Sequence, residues 1–332
     1  MSKLGSEVRC PCLPNPAPLA ALYGLACGTL EAGKGNTIAD VAGVTVGHFT
    51  LRDGDLRTGF TALLPHQGNL FCEKLTAAVE VINGFGKSAG LVQVDELGTL
   101  ETPVLLTNTF GVGTGVNALI RRAISENPEI GRSTGTVNPV VLECNDGYLS
   151  DIQAMALTEA HVVAAIEAAS ESFEQGSVGA GTGMSAFGFK GGIGSASRVY
   201  ELDGRRFTLG ALVLANFGRP GDLVLPDGGR PHPKDLKRAE ERGSVIVVLA
   251  TDVPLESRQL KRIAKAPGPA LRVWAPFTAM AAATSRWRSP RQGASPICFE
   301  RFCRARDTRG GQDRHSVPGG RRRRRRKRCS TR

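Results

Sequence analysis

No Cys-x-x-Cys pair occurs among the eight cysteines of this 332-residue chain, and three of them (Cys298, Cys303 and Cys329) fall near its end. Such spacing supplies neither a zinc site nor a disulfide framework, so no metal and no cofactor are expected, and a reducing, cytoplasmic compartment is the default. No segment reaches the roughly 18 consecutive apolar residues of a membrane span. Ala17 to Gly28 is apolar enough to imitate the core of a secretory signal, with Lys3 and Arg9 ahead of it, but Pro11, Pro14 and Pro16 precede the run. A signal peptide is therefore not the favoured reading. A phosphate-binding loop is missing too: in Gly86-Lys87-Ser88, Val81 stands where the pattern needs its first glycine.

Positive charge is scarce until the tail. The formal net charge is +11, yet residues 271–332 hold 18 of the 42 Lys+Arg and three of the 31 acids (Glu300, Asp307, Asp313). The first 270 residues thus carry 24 basic and 28 acidic side chains, a net of −4. A nucleic-acid binder usually needs a basic field and an enzyme acting on small molecules does not.

The length allows one large α/β domain or two smaller ones. Short apolar stretches between glycine turns predict strands at Thr37 to His48, Phe60 to Pro65, Gly90 to Val94 and Pro103 to Thr107. Helical periodicity appears at Val116 to Ile124 and at Ala154 to Ser172. Strands and helices mixed throughout predict a layered α/β architecture. The glycines from Gly179 to Gly194 are read as tight turns and close strand approach. From Phe217 to Arg242 proline and glycine alternate with charges, which predicts an exposed loop ending in a short charged helix, Pro233 to Arg242.

That loop delivers the chain to Gly243-Ser244, followed at once by the apolar run Val245-Ile246-Val247-Val248-Leu249-Ala250. A loop meeting a buried strand can be cut without disturbing the core, and the placement suits a serine that becomes a new chain start. By itself, Gly-Ser ahead of a strand is an ordinary turn.

An ordered set of segments raises the chemical reading. Asn36-Thr37-Ile38-Ala39-Asp40-Val41-Ala42-Gly43-Val44-Thr45-Val46-Gly47-His48 resembles the opening signature of the DmpA-type self-processing aminopeptidases, peptidase family S58, which include β-aminopeptidases. Asn108 to Gly113, Glu143 to Leu149, Gly194 to Arg198, Ala215 to Gly218, and Gly243-Ser244 with Ala250-Thr251-Asp252 match further family segments in family order. The resemblance implies a four-layer αββα sandwich, similar to N-terminal-nucleophile hydrolases and ornithine acetyltransferases, and self-cleavage between Gly243 and Ser244. The implied large subunit is 1–243, and the small subunit starts at 244–266. Ser244 would be the nucleophile, Asn216 the oxyanion donor and Tyr148 a second polar group at the scissile carbonyl, with Glu143 and Asp146 lining the site. Small peptides, amides or esters would be the substrates, and processed heterodimers would assemble into a homo-oligomer with no membrane and no nucleic acid involved. Two alternatives remain open at this point: an ornithine-acetyltransferase-like acyltransferase, disfavoured because that group cleaves at threonine, and a nucleic-acid binder using Arg321 to Arg328. A block of like charges is most often solvated and disordered.

After Lys265 the resemblance stops. Residues 267–332 contain both tryptophans (Trp274, Trp287), and the Lys+Arg of residues 271–332 comprise 17 arginines and Lys327. Codons allowed for Val273 to Thr284, read two nucleotides later, can spell Val-Gly-Ser-Val-Tyr-Gly-His-Gly-Ser-Gly-Asp-Ile, which resembles the small-subunit segment of the family. Arg325 to Arg332, shifted in the same way, can spell Glu-Glu-Ala-Val-Leu-Asn-Ala, similar to its C-terminal helix. The tail reads as out of frame and disordered, with the family's assisting serine and acidic residue lost and inner-layer strands missing. Sequencing the source gene in several independent clones is expected to reveal a single insertion or deletion near Ala266 to Arg272; an intact frame through the tail overturns this reading.

Overall fold

Two stacked sheets carry the structure, a computed structural model in which residues 28–225, 228–233, 243–274 and 278–285 are described, with the backbone alone at 270, 272–274 and 278–285. All of them lie within the first of two units of the chain, residues 1–293. The smaller sheet orders β1 (Thr45–Asp53), β2 (Leu56–Leu64), β5 (Val104–Thr107) and β6 (Val140–Glu143) as β1-β2-β5-β6. The larger runs β4 (Thr99–Leu100), β3 (Leu75–Val81), β12 (Thr278–Ser285), β11 (Ser244–Thr251), β10 (Arg205–Asn216) and β9 (Gly192–Leu202). A short hairpin pairs β7 (Ser185–Ala186) with β8 (Phe189–Lys190).

Side-chain alternation sorts each strand onto two covered faces. Ile246, Val248 and Ala250 of β11 and Leu212 and Leu214 of β10 pack between the sheets with Val104, Leu106, Val140 and Leu142 of the smaller sheet. Their odd-numbered neighbours Val245, Val247 and Leu249 face out and meet Leu260 and Ala264 of α4 (Ser257–Lys265). On the far side Phe60, Leu105 and Val141 meet α2 (Val112–Glu126) and α3 (Glu159–Glu167). Strands buried on both faces must be apolar throughout, which is why β11 reads as a continuous hydrophobic run. Each aliphatic side chain so buried contributes about 1.5 to 3 kcal/mol.

The layers are helix, sheet, sheet, helix, as the four-layer αββα expectation holds. In α2, Val112, Gly115, Ala118, Leu119 and Ala123 are buried at three- and four-residue steps, so one stripe of an amphipathic helix faces the sheet. Where α3 crosses β1, a side chain at Gly47 would bring its Cβ to 2.1 Å from the Ala165 carbonyl oxygen, so this approach admits only glycine.

Several local expectations change. Gly90 to Val94 opens a helix, α1 (Leu91–Leu97), held between left-handed glycines Gly90 and Gly98. Thr37 to His48 begins with a 3-10 turn at Ile38–Asp40 and becomes strand only from Thr45. The helix expected over Ala154 to Ser172 is confined to Glu159–Glu167. Pro233 to Arg242 lies mostly outside the described residues, as do Ala17 to Cys27 and the arginine block Arg321 to Arg328.

The domain also continues beyond residue 266, where the sequence reading ended it. The backbone forms α5 (Pro267–Trp274) and then β12, which pairs parallel with β11 and antiparallel with β3. The expectation of missing inner strands is corrected here: the gap between β3 and β11 is one strand wide, and the small-residue run Thr278 to Ser285 occupies it. Alanine is a weak strand former, so two flanking ladders rather than propensity hold this segment.

His48 on β1 offers a pH test. Its Nε2 donates to the Glu174 carbonyl at 3.0 Å and its Nδ1 lies 2.9 Å from the Thr61 hydroxyl, an arrangement suited to a neutral ring. Burial lowers its pKa to about 4. The unfolded chain therefore binds the proton first, and stability is lost as pH falls from about 6.5 towards 4, by up to about 1.4 kcal/mol per pH unit. Denaturant unfolding between pH 4.5 and 7 is expected to show this slope, flattened in His48→Gln; equal slopes in both proteins would refute it.

Candidate active site

β10 and β11 set the first two groups side by side. Their antiparallel register pairs Asn216, the last residue of β10, with Ser244, the first of β11. Both share the parity of the inward residues Leu214 and Ile246, so they sit where the apolar filling between the sheets ends. Asn216 is 1% exposed, and its Nδ2 donates to Ser244 Oγ at 3.2 Å and to the Asn145 carbonyl at 2.8 Å. Its Oδ1 accepts from the Ser185 amide at 3.0 Å. Both ends of the amide are engaged, and its orientation is fixed by two donated bonds and one accepted bond.

Across the interlayer, Cys144 follows β6 on the face of Val140 and Leu142 and is fully buried. Its thiol donates to the Leu214 carbonyl at 3.9 Å, and burial pushes its pKa well above the ordinary thiol value. It remains a neutral S–H, which rules it out as the attacking group. Asp146 is also fully buried: its Oδ2 accepts from Asn108 Nδ2 at 3.1 Å, while Oδ1 has no hydrogen-bond partner. Burial raises its pKa, opposed by hydrogen bonds from Thr58 and Asn108. Glu143 accepts from the Lys87 amide at 2.8 Å and the Thr109 hydroxyl at 2.5 Å. Gly86-Lys87-Ser88 thus turns its backbone towards a carboxylate, where a phosphate could not sit.

Gly243 is buried, and a Cβ there would lie 2.7 Å from Cα and 2.8 Å from Cβ of Phe217. The peptide bond ahead of Ser244 therefore passes too close to its neighbour for any other residue. A cavity of about 670 Å³, whose lining includes Val81, Ser88, Leu91 and Val92, opens at the end of β3. Through β12 this is the same end of the larger sheet at which Ser244 stands. Among the described residues no group of His, Cys, Asp and Glu could hold a metal ion.

Of the residues singled out from sequence, the structure brings Ser244, Gly243 and Asn216 together. Tyr148 is 47% exposed on the loop after β6, and no hydrogen bond joins it to Ser244 or Asn216. Cys144, the Asn145 carbonyl and the Ser185 amide were not anticipated. The parity of Val140, Leu142 and Cys144 could have signalled the first; nothing local to residue 185 signals the last.

The quoted motifs also clasp one another. Asn36 Oδ1 accepts from the Ser197 amide and Arg198 Nη1, each at 3.0 Å, and Asp40 accepts from the Ser197 hydroxyl at 2.6 Å. Asn108 reaches Asp146, and Asn216 reaches Asn145 and Ser244.

The model of peptidase family S58 matches residues 36–275. The chain belongs to peptidase family S58. It is 38% identical over 262 residues to the β-peptidyl aminopeptidase BapA of Sphingosinicella microcystinivorans, covering 71% of this chain and 65% of that protein. Its counterpart from Sphingosinicella xenopeptidilytica is 36% identical, covering 69% and 63%. The chain thus spans slightly less than two thirds of the length of these relatives. Among solved structures, the PH0078 protein from Pyrococcus horikoshii OT3 is 47% identical with a TM-score of 0.74, covering 83% of this chain and 82% of that one. The L-aminopeptidase D-Ala-esterase/amidase from Ochrobactrum anthropi, described as a new variant of the Ntn hydrolase fold, is 34% identical with a TM-score of 0.72, covering 84% and 82%. The S58 chain shares that fold. These matches lend no support to the acyltransferase or nucleic-acid-binding alternatives.

Gly243→Ala is expected to force Phe217 and the start of β11 apart and to lower stability by about 1 to 3 kcal/mol. Denaturant unfolding of the variant in a Ser244→Ala background measures this without interference from cleavage; a change below about 0.5 kcal/mol overturns the steric argument.

Proposed function

We propose that this S58 chain cuts its own Gly243–Ser244 bond, and that the exposed Ser244 is the nucleophile of a serine aminopeptidase releasing N-terminal residues from small peptides, amides or esters. The observation that carries the reading is the 3.2 Å hydrogen bond from Asn216 Nδ2 to Ser244 Oγ. Because the amide donates, the hydroxyl keeps its own proton for transfer to a base.

In the first step Ser244 Oγ adds to the Gly243 carbonyl carbon, the C–N bond breaks, and the acyl group passes from nitrogen to oxygen. Water then hydrolyses the ester, leaving a Gly243 carboxylate and a free serine. The new α-amine has an ordinary pKa of about 7.7 to 8.0, so part of it is neutral near pH 7. It takes the hydroxyl proton as Ser244 attacks the substrate carbonyl and returns a proton to the leaving group. Asn216 donates to the developing oxyanion, and Tyr148, exposed on the loop that carries Asn145, contacts the substrate. The relatives' names, β-peptidyl aminopeptidase and L-aminopeptidase D-Ala-esterase/amidase, support this substrate class.

A homo-oligomer of processed heterodimers, in the cytoplasm, belongs to the same proposal. Exposed Phe85, Val92 and Leu97 beside the cavity support an association surface, and a thiol at Cys144 in no disulfide agrees with a reducing compartment. No helix among the described residues is long and apolar enough to cross a membrane. For the tail, an out-of-frame origin remains the proposal, supported by its composition and by a family match that ends at residue 275. The exact chain would then be weak or inactive in turnover.

N-terminal sequencing of the purified chain is expected to find a fragment beginning Ser-Val-Ile-Val, absent in Ser244→Ala. Asn216→Ala is expected to lower the rate of self-cleavage, and of any turnover, by about 10²- to 10³-fold. A folded chain that stays uncut and hydrolyses aminoacyl amides without the Ser244 hydroxyl would falsify the proposal.

A further inference from the structure

The oxyanion donor is itself held by a peptide unit that a lysine grips. Lys190 closes the β7–β8 hairpin opposite Ser185. The residue as a whole is exposed, yet its ammonium turns in and donates to three carbonyls: Met184 at 2.7 Å, Gly191 at 2.9 Å and Gly181 at 3.0 Å. The Met184 oxygen also accepts from the Gly191 amide at 2.9 Å. On the other end of that same planar peptide, the Ser185 N–H donates to Asn216 Oδ1.

A peptide plane held at its oxygen by two donors cannot rotate, so its N–H points in one direction. With Oδ1 pinned there, the Asn216 amide has a single orientation left, with Nδ2 towards Asn145 and Ser244. A cation on the carbonyl oxygen also polarises the unit and strengthens the N–H as a donor. Burial, with Arg52 the other cation near it, lowers the ammonium to about 8; at neutral pH it is still the charged form.

We propose that Lys190 is a positioning residue for catalysis: its grip on the Met184–Ser185 peptide fixes the Asn216 side chain against Ser244. The inference rests on the reading of Asn216 as oxyanion donor. The competing role is a plain staple for the glycine-rich turn, which would affect stability alone.

Lys190→Met keeps the stem and removes the charge. In the full-length chain it is expected to slow self-cleavage at Gly243–Ser244 and lower kcat by about ten- to a hundredfold, with KM within about twofold and the Asn216 side-chain amide resonances shifted in 15N spectra. Lys190→Arg, which restores donors, is expected to recover most of the loss and serves if the methionine variant does not fold. Cleavage and kcat within about twofold of the parent, or losses that follow the melting temperature while the Asn216 resonances stay in place, overturn the proposal. If the parent chain neither cuts itself nor hydrolyses aminoacyl amides, the functional reading fails by itself. The Asn216 resonances in Lys190→Met then decide the positioning role alone: a shift supports it and no shift overturns it.

Discussion

The pairing of β10 with β11 is the constraint on which the site depends. It runs from Leu209 opposite Thr251 to Asn216 opposite Ser244, and both strands are covered on both faces. A slip of one residue would turn every side chain to the opposite layer. Ser244 would then face α4, and Val245 would take its place beside Asn216. Ile246 and Val248 between the sheets, with Val245 and Val247 under the helix, make that slip impossible without exchanging two well-filled faces. The hydrophobic core thus places a hydroxyl beside a specific amide, and no polar interaction is needed to choose the register.

Polar groups take over where the core ends. Asn216, the Asn145 carbonyl, the Ser185 amide and Cys144 sit at strand ends or just beyond them, with Asn216 one same-face step past Leu214 and Cys144 one past Leu142. In so dry a place an unpartnered amide costs about 1 to 3 kcal/mol, so the network is either complete or absent. Asp146 is the exception, with one oxygen unpartnered and a pKa raised by burial.

Much of this was legible in the sequence because its motifs are the contacts. Asn36 to His48 and Gly194 to Arg198 are distant in the chain and meet through Asn36, Asp40 and Ser197. An ordered set of weak matches is specific for that reason: each segment is a partner for another. What stayed hidden was set by geometry that no short window contains. Gly90 to Val94 reads as a strand because the window is short and apolar, whereas the flanking glycines Gly90 and Gly98 and a single buried residue, Val94, make Leu91–Leu97 a surface helix. Ser185 and Lys190 carry no motif at all; their roles come from one peptide plane in a hairpin far from Ser244 in sequence. Tyr148 is named by resemblance, and the structure leaves it half exposed and outside the hydrogen-bond network of Ser244 and Asn216.

β12 separates folding from turnover. A backbone ladder is nearly indifferent to which small side chains it carries, so Thr278 to Ser285 can complete the larger sheet next to Ser244 whatever frame encoded it. Chemistry is not indifferent. If the segment is out of frame, the strand bordering Ser244 supplies the correct backbone and the wrong functional groups. The proposed self-cleavage would draw on Gly243, Ser244 and Asn216, all upstream of residue 266, whereas the assisting groups that the family resemblance implies for the small subunit would lie downstream. Under the proposed reading, a chain with this division would cut itself and then stall as a hydrolase, because the groups that serve the attack on its own backbone, Ser244 and Asn216 with the peptide that holds it, all precede residue 266.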